Sequence, residues 1–231
     1  MPPSTTPINE INGAYLKRQY LISYNAISAA LWFGVLGRVA MWGYHGSLYK
    51  GGWLSEGANE GVYEASERYT RLTQTLAVME VVHSFIGVVR APVLTTLMQV
   101  ASRLLLVWGI AYNFPQTTKN SPAYTTMLLA WSVTEVIRYS YFVFVLGAKG
   151  VPKLWTWLRY NTFLVLYPLG VGSETWLIYS AIPPASKMDE KYGYALWAVL
   201  ATYIPGFYTL FTYMLKQRRR VLRVGAEKKQ N

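Results

Sequence analysis

The sequence contains no cysteine, and that absence excludes disulfides, thiolate nucleophiles, thiolate metal sites and palmitoyl anchors together. Histidine is nearly absent: His45 and His83 are the only two, too few for clustered histidine boxes. Acids are scarce, with 11 Asp and Glu against 22 Lys and Arg, for a net charge of +11. No Gly-rich phosphate loop, Rossmann fingerprint or Gly-x-Ser-x-Gly elbow occurs. Nor is there an internal repeat of the kind from which inverted-repeat transporters are built.

What the chain does have is apolar and aromatic: 52% of its residues are hydrophobic, 16% are aromatic and 9 are tryptophan. These residues come in long runs rather than amphipathic stripes, which is the composition of a polytopic membrane protein. Six spans are read, at 20–44, 72–89, 93–111, 123–146, 155–180 and 195–215, each near the about 17 to 25 residues a tilted helix needs to cross a bilayer. The expected fold is therefore all-α, a bundle of six transmembrane helices. It divides into a polar N-terminal segment (1–19), a single transmembrane catalytic domain (20–215) and a basic tail (216–231). The first apolar run follows Lys17-Arg18 and is too long for a signal-peptide core, so it is expected to be a retained anchor. Between the first two spans, Gly51-Gly52, Gly57 and Gly61 predict a loop with a short helix near 64–71.

Lysine and arginine placement orients the chain. With the N-terminus in the cytosol, that side carries Lys17, Arg18, Arg90, Lys149, Lys153 and the tail from Lys216 to Lys229, about twice the basic residues of the other side. Both termini are expected to be cytosolic. The positive tail then lies beside anionic lipid headgroups, so the net charge gives no reason to expect nucleic acid. The last four residues, Lys228-Lys229-Gln230-Asn231, resemble the di-lysine retrieval signal of endoplasmic-reticulum membrane proteins.

Arg38, Glu80, Arg103, Glu135, Arg138, Arg159 and Glu174 fall within the spans. Each costs on the order of 2–4 kcal/mol at the bilayer centre unless it is paired or near an interface, so together they imply a polar interior. Arg38 and Arg159 lie near span ends, where such side chains snorkel, and Glu135 with Arg138 is an i, i+3 pair that neutralises itself. Glu80-Val81-Val82-His83 has the Glu-x-x-His spacing of di-iron bundles, but a single copy cannot build that centre, and no metal is expected. Glu174 stands apart, with no cation nearby in its own helix. It lies seven residues after Tyr167, so the two share a helix face roughly 10 Å apart along the axis. Between them are Pro168, Gly170 and Gly172, where a bend is predicted.

Several ordered blocks carry a resemblance. They are Tyr24-Asn25; Glu80-Val81-Val82-His83 with Gly87 and Pro92; Gln99-Val100-Ala101-Ser102-Arg103; Trp131 through Tyr139; Trp157-Leu158-Arg159-Tyr160; and Leu166-Tyr167-Pro168-Leu169-Gly170 with Glu174. Through nearly the whole span region the chain resembles the membrane-bound (3R)-3-hydroxyacyl-CoA dehydratases of very-long-chain fatty acid elongation, also called protein tyrosine phosphatase-like A proteins. One departure is Ala91, where the family commonly has serine before the proline. The older name cannot describe the chemistry, because a tyrosine phosphatase needs a cysteine nucleophile.

The resemblance implies loss of water from a long-chain 3-hydroxyacyl-CoA to give the trans-2-enoyl-CoA, with Tyr167 and Glu174 as the catalytic pair and no cofactor. A carboxylate suits removal of the proton beside the thioester and a phenol suits donation to the departing hydroxyl; the reverse, with a buried protonated glutamate as donor, stays open at this stage. Charge developing on the thioester oxygen needs donors, for which Arg103, Arg138 and backbone amides near Gly170 are the candidates. Lys149, Lys153 and Arg159 are candidates for the CoA phosphates. The resemblance also implies residence in the endoplasmic reticulum membrane and, as partners, the condensing enzyme and reductases of the elongation cycle. A non-catalytic scaffold of that complex and a small membrane transporter are the alternatives; the retained pair argues against the first and the missing repeat against the second.

Overall fold

The computed structural model describes the backbone of residues 8–230 and the side chains of residues 13–223. The described residues are helical, joined by short turns. The helices are α1 (Ile8–Tyr49), α2 (Glu56–Thr75), α3 (Val78–Phe85), α4 (Val93–Leu104), the one-turn α5 (Pro115–Thr118), α6 (Pro122–Leu146), α7 (Lys153–Asn161), α8 (Phe163–Met188) and α9 (Glu190–Gln230), and α4 runs on into a π-helical segment, Leu105–Tyr112. Four helices are long and apolar enough to cross a membrane: Gly13–Tyr49, Val93–Tyr112, Pro122–Leu146 and Glu190–Arg223.

The other two expected spans look different. The stretch 72–89 is the end of α2 followed by α3, interrupted at Leu76-Ala77, and it carries Glu80 and His83. The stretch 155–180 divides at Thr162 into α7 and α8. Pro168 lies inside α8, where it removes one amide donor and crowds the carbonyl of Leu164. The helix absorbs this without ending, and the break falls a turn and a half earlier. α8 then continues through Pro183-Pro184 to Met188, over residues expected to be a loop. A single residue, Asp189, separates it from α9, and its carboxylate caps the new helix by accepting from the Lys191 amide at 2.9 Å. The proposed divisions at 19/20 and 215/216 fall within continuous α1 and α9. The di-lysine-like end lies outside the residues whose side chains are described.

The predicted loop between the first two spans is largely helix. Ser55 caps α2, its hydroxyl accepting from the Ala58 amide at 3.3 Å, and Glu56 follows in the first turn. Its inward face is small and polar: Ala58, Val62, Ser66, Thr70, Thr73 and Gln74 are all buried. That face packs against α1, α6 and the π-helical segment, where Asn59 Oδ1 accepts from the Thr125 hydroxyl at 2.7 Å.

α6 is the central helix. Its Tyr124, Met127, Leu128 and Trp131 form one buried face against Trp32, Val35 and Val39 of α1 and Leu177, Ile178, Ala181 and Ala185 of α8. In lipid such packing rests on close approach rather than on escape from water. Gly170 provides one such approach, since a methyl group there would stand 3.6 Å from Ala130 Cβ on α6.

Ion pairs and hydrogen bonds fix which ends lie together. Arg18 Nε donates to the Leu146 carbonyl at 2.6 Å, and Arg218 Nε donates to Asn161 Oδ1 at 3.0 Å. The start of α1, the end of α6, α7 and the last described part of α9 therefore share one end. At the other, Lys119 pairs with Glu60 at 3.1 Å and Glu64 at 2.6 Å.

Candidate active site

α8 packs between α6 and α9, and both candidate residues meet α9, with Glu174 touching α6 as well. The Glu174 carboxylate is held from both sides: Trp131 Nε1 of α6 donates to Oε1 at 2.8 Å, and the Tyr203 hydroxyl of α9 donates to Oε2 at 2.9 Å. Both donors are neutral, and among the described residues no lysine, arginine or histidine forms an ion pair with Glu174. The Tyr167 ring stacks on Phe207, with centroids 5.3 Å apart and planes 12° apart, and lies nearly parallel to Phe211 at 6.1 Å. Its hydroxyl has no hydrogen-bond partner among the described residues. One polar group is thus oriented by donors, and the other is fixed through its ring with its O–H uncommitted.

Four of the remaining intramembrane charges form a separate array, while Arg38 lies over the Tyr69 ring at 3.8 Å and donates to the Gly34 carbonyl at 2.9 Å. Arg138 of α6 donates through Nη1 and Nη2 to the two oxygens of Glu80 at 3.0 and 2.7 Å, and through Nε to Glu135 at 2.6 Å. Glu135 also accepts from Arg103 Nη1 of α4, and Glu80 accepts from the Tyr139 hydroxyl. Glu135 with Arg138 is thus not a self-contained pair but the middle of a chain joining α3, α6 and α4. Two guanidiniums balance two carboxylates, which is the condition for tolerating charge where water is excluded.

The array touches the Glu174 site at one point. The Arg103 guanidinium carbon stands 5.1 Å from the centroid of the Trp131 ring, whose N–H serves Glu174. His83 is occupied elsewhere: its Nε2 is 2.7 Å from the Tyr20 hydroxyl, and its ring meets Tyr20 and Tyr24 edge-on. Among the described residues no group of three or more His, Cys, Asp or Glu is placed to hold a metal ion.

The other candidates are dispersed. Arg159 lies over the rings of Tyr141 at 4.5 Å and Phe142 at 5.0 Å, near the end of α6. Lys149 and Lys153 are exposed in the connection into α7, at the end of the bundle that Arg18 also occupies. Gly170 faces Ala130, and α8 is continuous across it, so its amide lies within the helical ladder rather than free. Sequence reasoning missed Tyr203, Phe207 and Phe211. Their spacing of four residues is an aromatic stripe on one face of a helix, and that was the available signal.

The family model described as "Protein tyrosine phosphatase-like protein, PTPLA" matches residues 74–224. A protein of Schizosaccharomyces pombe named "Probable very-long-chain (3R)-3-hydroxyacyl-CoA dehydratase" is 41% identical over 220 residues, covering 93% of this chain and 98% of the relative. The Arabidopsis thaliana protein named "Very-long-chain (3R)-3-hydroxyacyl-CoA dehydratase PASTICCINO 2" is 40% identical over 221 residues, covering 90% of this chain and 94% of the relative. A Mus musculus relative named "Very-long-chain (3R)-3-hydroxyacyl-CoA dehydratase 1" is 37% identical over 183 residues, 74% of this chain and 64% of its own length. No solved structure matches. With a family match over most of its length and relatives aligned nearly end to end, the chain belongs to the protein tyrosine phosphatase-like, PTPLA, family.

Proposed function

We propose that this protein is a membrane-embedded hydro-lyase that removes water from long-chain (3R)-3-hydroxyacyl-CoA to give trans-2-enoyl-CoA. The observation that carries the reading is the contrast among the buried acids. Glu80 and Glu135 are ion-paired, whereas Glu174 meets only neutral donors and shares a helix with a tyrosine whose hydroxyl is uncommitted.

Trp131 N–H can only donate, and Tyr203 donates to the other oxygen, so both Glu174 oxygens act as acceptors. That arrangement fits a carboxylate and supports Glu174 as the base and Tyr167 as the acid. Glu174 takes the proton from the carbon beside the thioester. The electron pair forms the new double bond, the C3–O bond breaks, and Tyr167 protonates the leaving hydroxyl as water. Return of the proton from Glu174 to the tyrosinate restores both groups, with no net redox change. Arg103 spends only Nη1 on Glu135, so the rest of its guanidinium is available for the thioester oxygen. Arg138 uses Nε, Nη1 and Nη2 on carboxylates and is assigned to holding the array.

From Pro152 the helical rise puts Tyr167 roughly 20 Å deep, near the bilayer midplane. A pantetheine arm spans that depth while the CoA phosphates stay at the mouth with Lys149, Lys153 and Arg159. Six crossings follow when α2–α3 and α8 are counted with the four apolar helices. This topology puts both termini in the cytosol and Lys228-Lys229 where a retrieval receptor reads them, with the protein resident in the endoplasmic reticulum beside the condensing enzyme and reductases of the cycle.

The test is turnover of a long-chain 3-hydroxyacyl-CoA by purified protein. Tyr167→Phe and Glu174→Gln should each lower kcat by about a hundredfold or more, the usual worth of a positioned acid or base. If both variants, normalised to folded protein, stay within a fewfold of the parent, the reading is refuted.

A further inference from the structure

We propose that Tyr203 is a positioning residue: its hydroxyl sets the plane of the Glu174 carboxylate for proton abstraction, without itself touching the substrate. The inference rests on the assignment of Glu174 as base. Three observations lead to it.

The first is the pair of donors. The last torsion of a glutamate is broad and has no strong preference of its own. One donor would leave the carboxylate free to rotate about that contact. Here each oxygen has its own, Trp131 on α6 and Tyr203 on α9, so two helices on different sides determine one plane. A carboxylate has about four lone-pair positions. Two are occupied, and one on each oxygen remains for the substrate proton.

The second is register. α8 and α9 are joined by the single residue Asp189, which leaves little freedom to slide. Glu174 lies fifteen residues before Asp189 and Tyr203 fourteen after it, while Tyr167 and Phe211 each lie twenty-two residues away. The two helices run antiparallel, so equal offsets come side by side. The face of α9 that carries Tyr203, Phe207 and Phe211 thus meets both members of the catalytic pair, the acid through its stacked ring and the base through the Tyr203 hydroxyl.

The third is the choice of donor. A lysine or arginine at position 203 would also orient Glu174, but it would pair with it and hold its charge. A phenol directs the carboxylate and leaves it able to accept a proton. The charged group closest to intruding, Arg103, is kept across the Trp131 ring.

Steady-state kinetics and folding are measured on the full-length protein in detergent micelles. Tyr203→Phe keeps the ring and deletes the donor. It should lower kcat about ten- to a hundredfold, as misplacement of a reacting group does, with KM within about twofold and the apparent melting temperature near that of the parent. Tyr203→His, assayed at a pH where its imidazole is neutral, keeps an uncharged ring N–H donor and should recover a large part of that loss. In a Glu174→Gln background, Tyr203→Phe should have no further effect on residual turnover, because it acts through Glu174.

A kcat for Tyr203→Phe within twofold of the parent, alongside an inactive Glu174→Gln, overturns the inference and leaves the catalytic reading standing. An active Glu174→Gln removes the reading itself. A loss in Tyr203→Phe that Tyr203→His does not relieve, or that persists unchanged in the Glu174→Gln background, assigns Tyr203 to packing and also overturns the inference. Should Tyr203→Phe not accumulate, Tyr203→Leu is compared with Tyr203→His, and equal turnover of those two overturns it.

Discussion

Neutralising Glu135 should destabilise this protein more than removing any other side-chain charge in the ion array. Its side chain is 1% exposed, against 28% for Arg103, 29% for Arg138 and 21% for Glu80, and it is the one acid that binds both arginines. Glu135→Gln keeps the shape but leaves Arg103 without a carboxylate partner and Arg138 with Glu80 alone. Breaking a buried pair by removing one partner typically costs about 3–5 kcal/mol. For a chain of this size, about 1 kcal/mol moves the melting temperature about 2–4 °C, so the apparent midpoint in detergent micelles should fall by about 6 °C or more at a fixed scan rate. Adding Arg103→Met restores neutrality, leaving Arg138 bidentate on Glu80. The double variant should therefore regain at least about 2 °C over Glu135→Gln, a strong departure from additivity between contacting residues. A Glu135→Gln midpoint within 2 °C of the parent, or a double variant at the sum of the two single losses, would refute the argument from charge balance.

Two further outcomes are expected. Charge reversal at Lys149 and Lys153 should raise the apparent KM for the CoA substrate about fivefold or more with little change in kcat, the pattern of lost uniform binding; unchanged kinetics would leave these lysines with a topogenic role only. Replacing Lys228 and Lys229 with serine should let a fraction of the protein leave the endoplasmic reticulum, as followed by fractionation, whereas glycosylation of an acceptor site appended to the C-terminus would refute the cytosolic tail.

The apolar runs and the catalytic candidates were legible in the sequence, because both are local patterns. Long runs containing Trp32, Val107, Met127 and Val199 announce helices by composition alone; helical periodicity puts Tyr167 and Glu174 on one face, and the family resemblance is what marks them as the candidate pair. The short helix expected near 64–71 lies within α2, whose full length is hidden because Gly57, Gly61 and its glutamates are what loops contain. The interruption at Thr162 has no proline or glycine beside it to announce it, and Pro168 lies within continuous α8. Tyr203 carries one sequence signal, the aromatic stripe it forms with Phe207 and Phe211, which does not point to Glu174. It is one tyrosine among 19, and its bond to Glu174 arises from the register of α8 against α9, which the single-residue connection at Asp189 sets. The array of Glu80, Glu135, Arg103 and Arg138 likewise joins three helices, and spacing within one helix revealed only its Glu135–Arg138 link.

The three acids inside the bundle illustrate how one chemistry is put to two uses. Glu80 and Glu135 each have an arginine in direct contact, and a carboxylate so paired gives up that partnership if it takes a proton, so it serves as fixed charge. Glu174 differs from them by the identity of its partners. Trp131 is the divider: one aspect of its ring lies near the Arg103 guanidinium, while its N–H points at Glu174. A smaller residue at position 131 would open the way for that guanidinium to approach the carboxylate directly. Glu174 would then become a third acid of the ion array, and the site would keep both Tyr167 and Glu174 while losing its acid without an ion-pair partner.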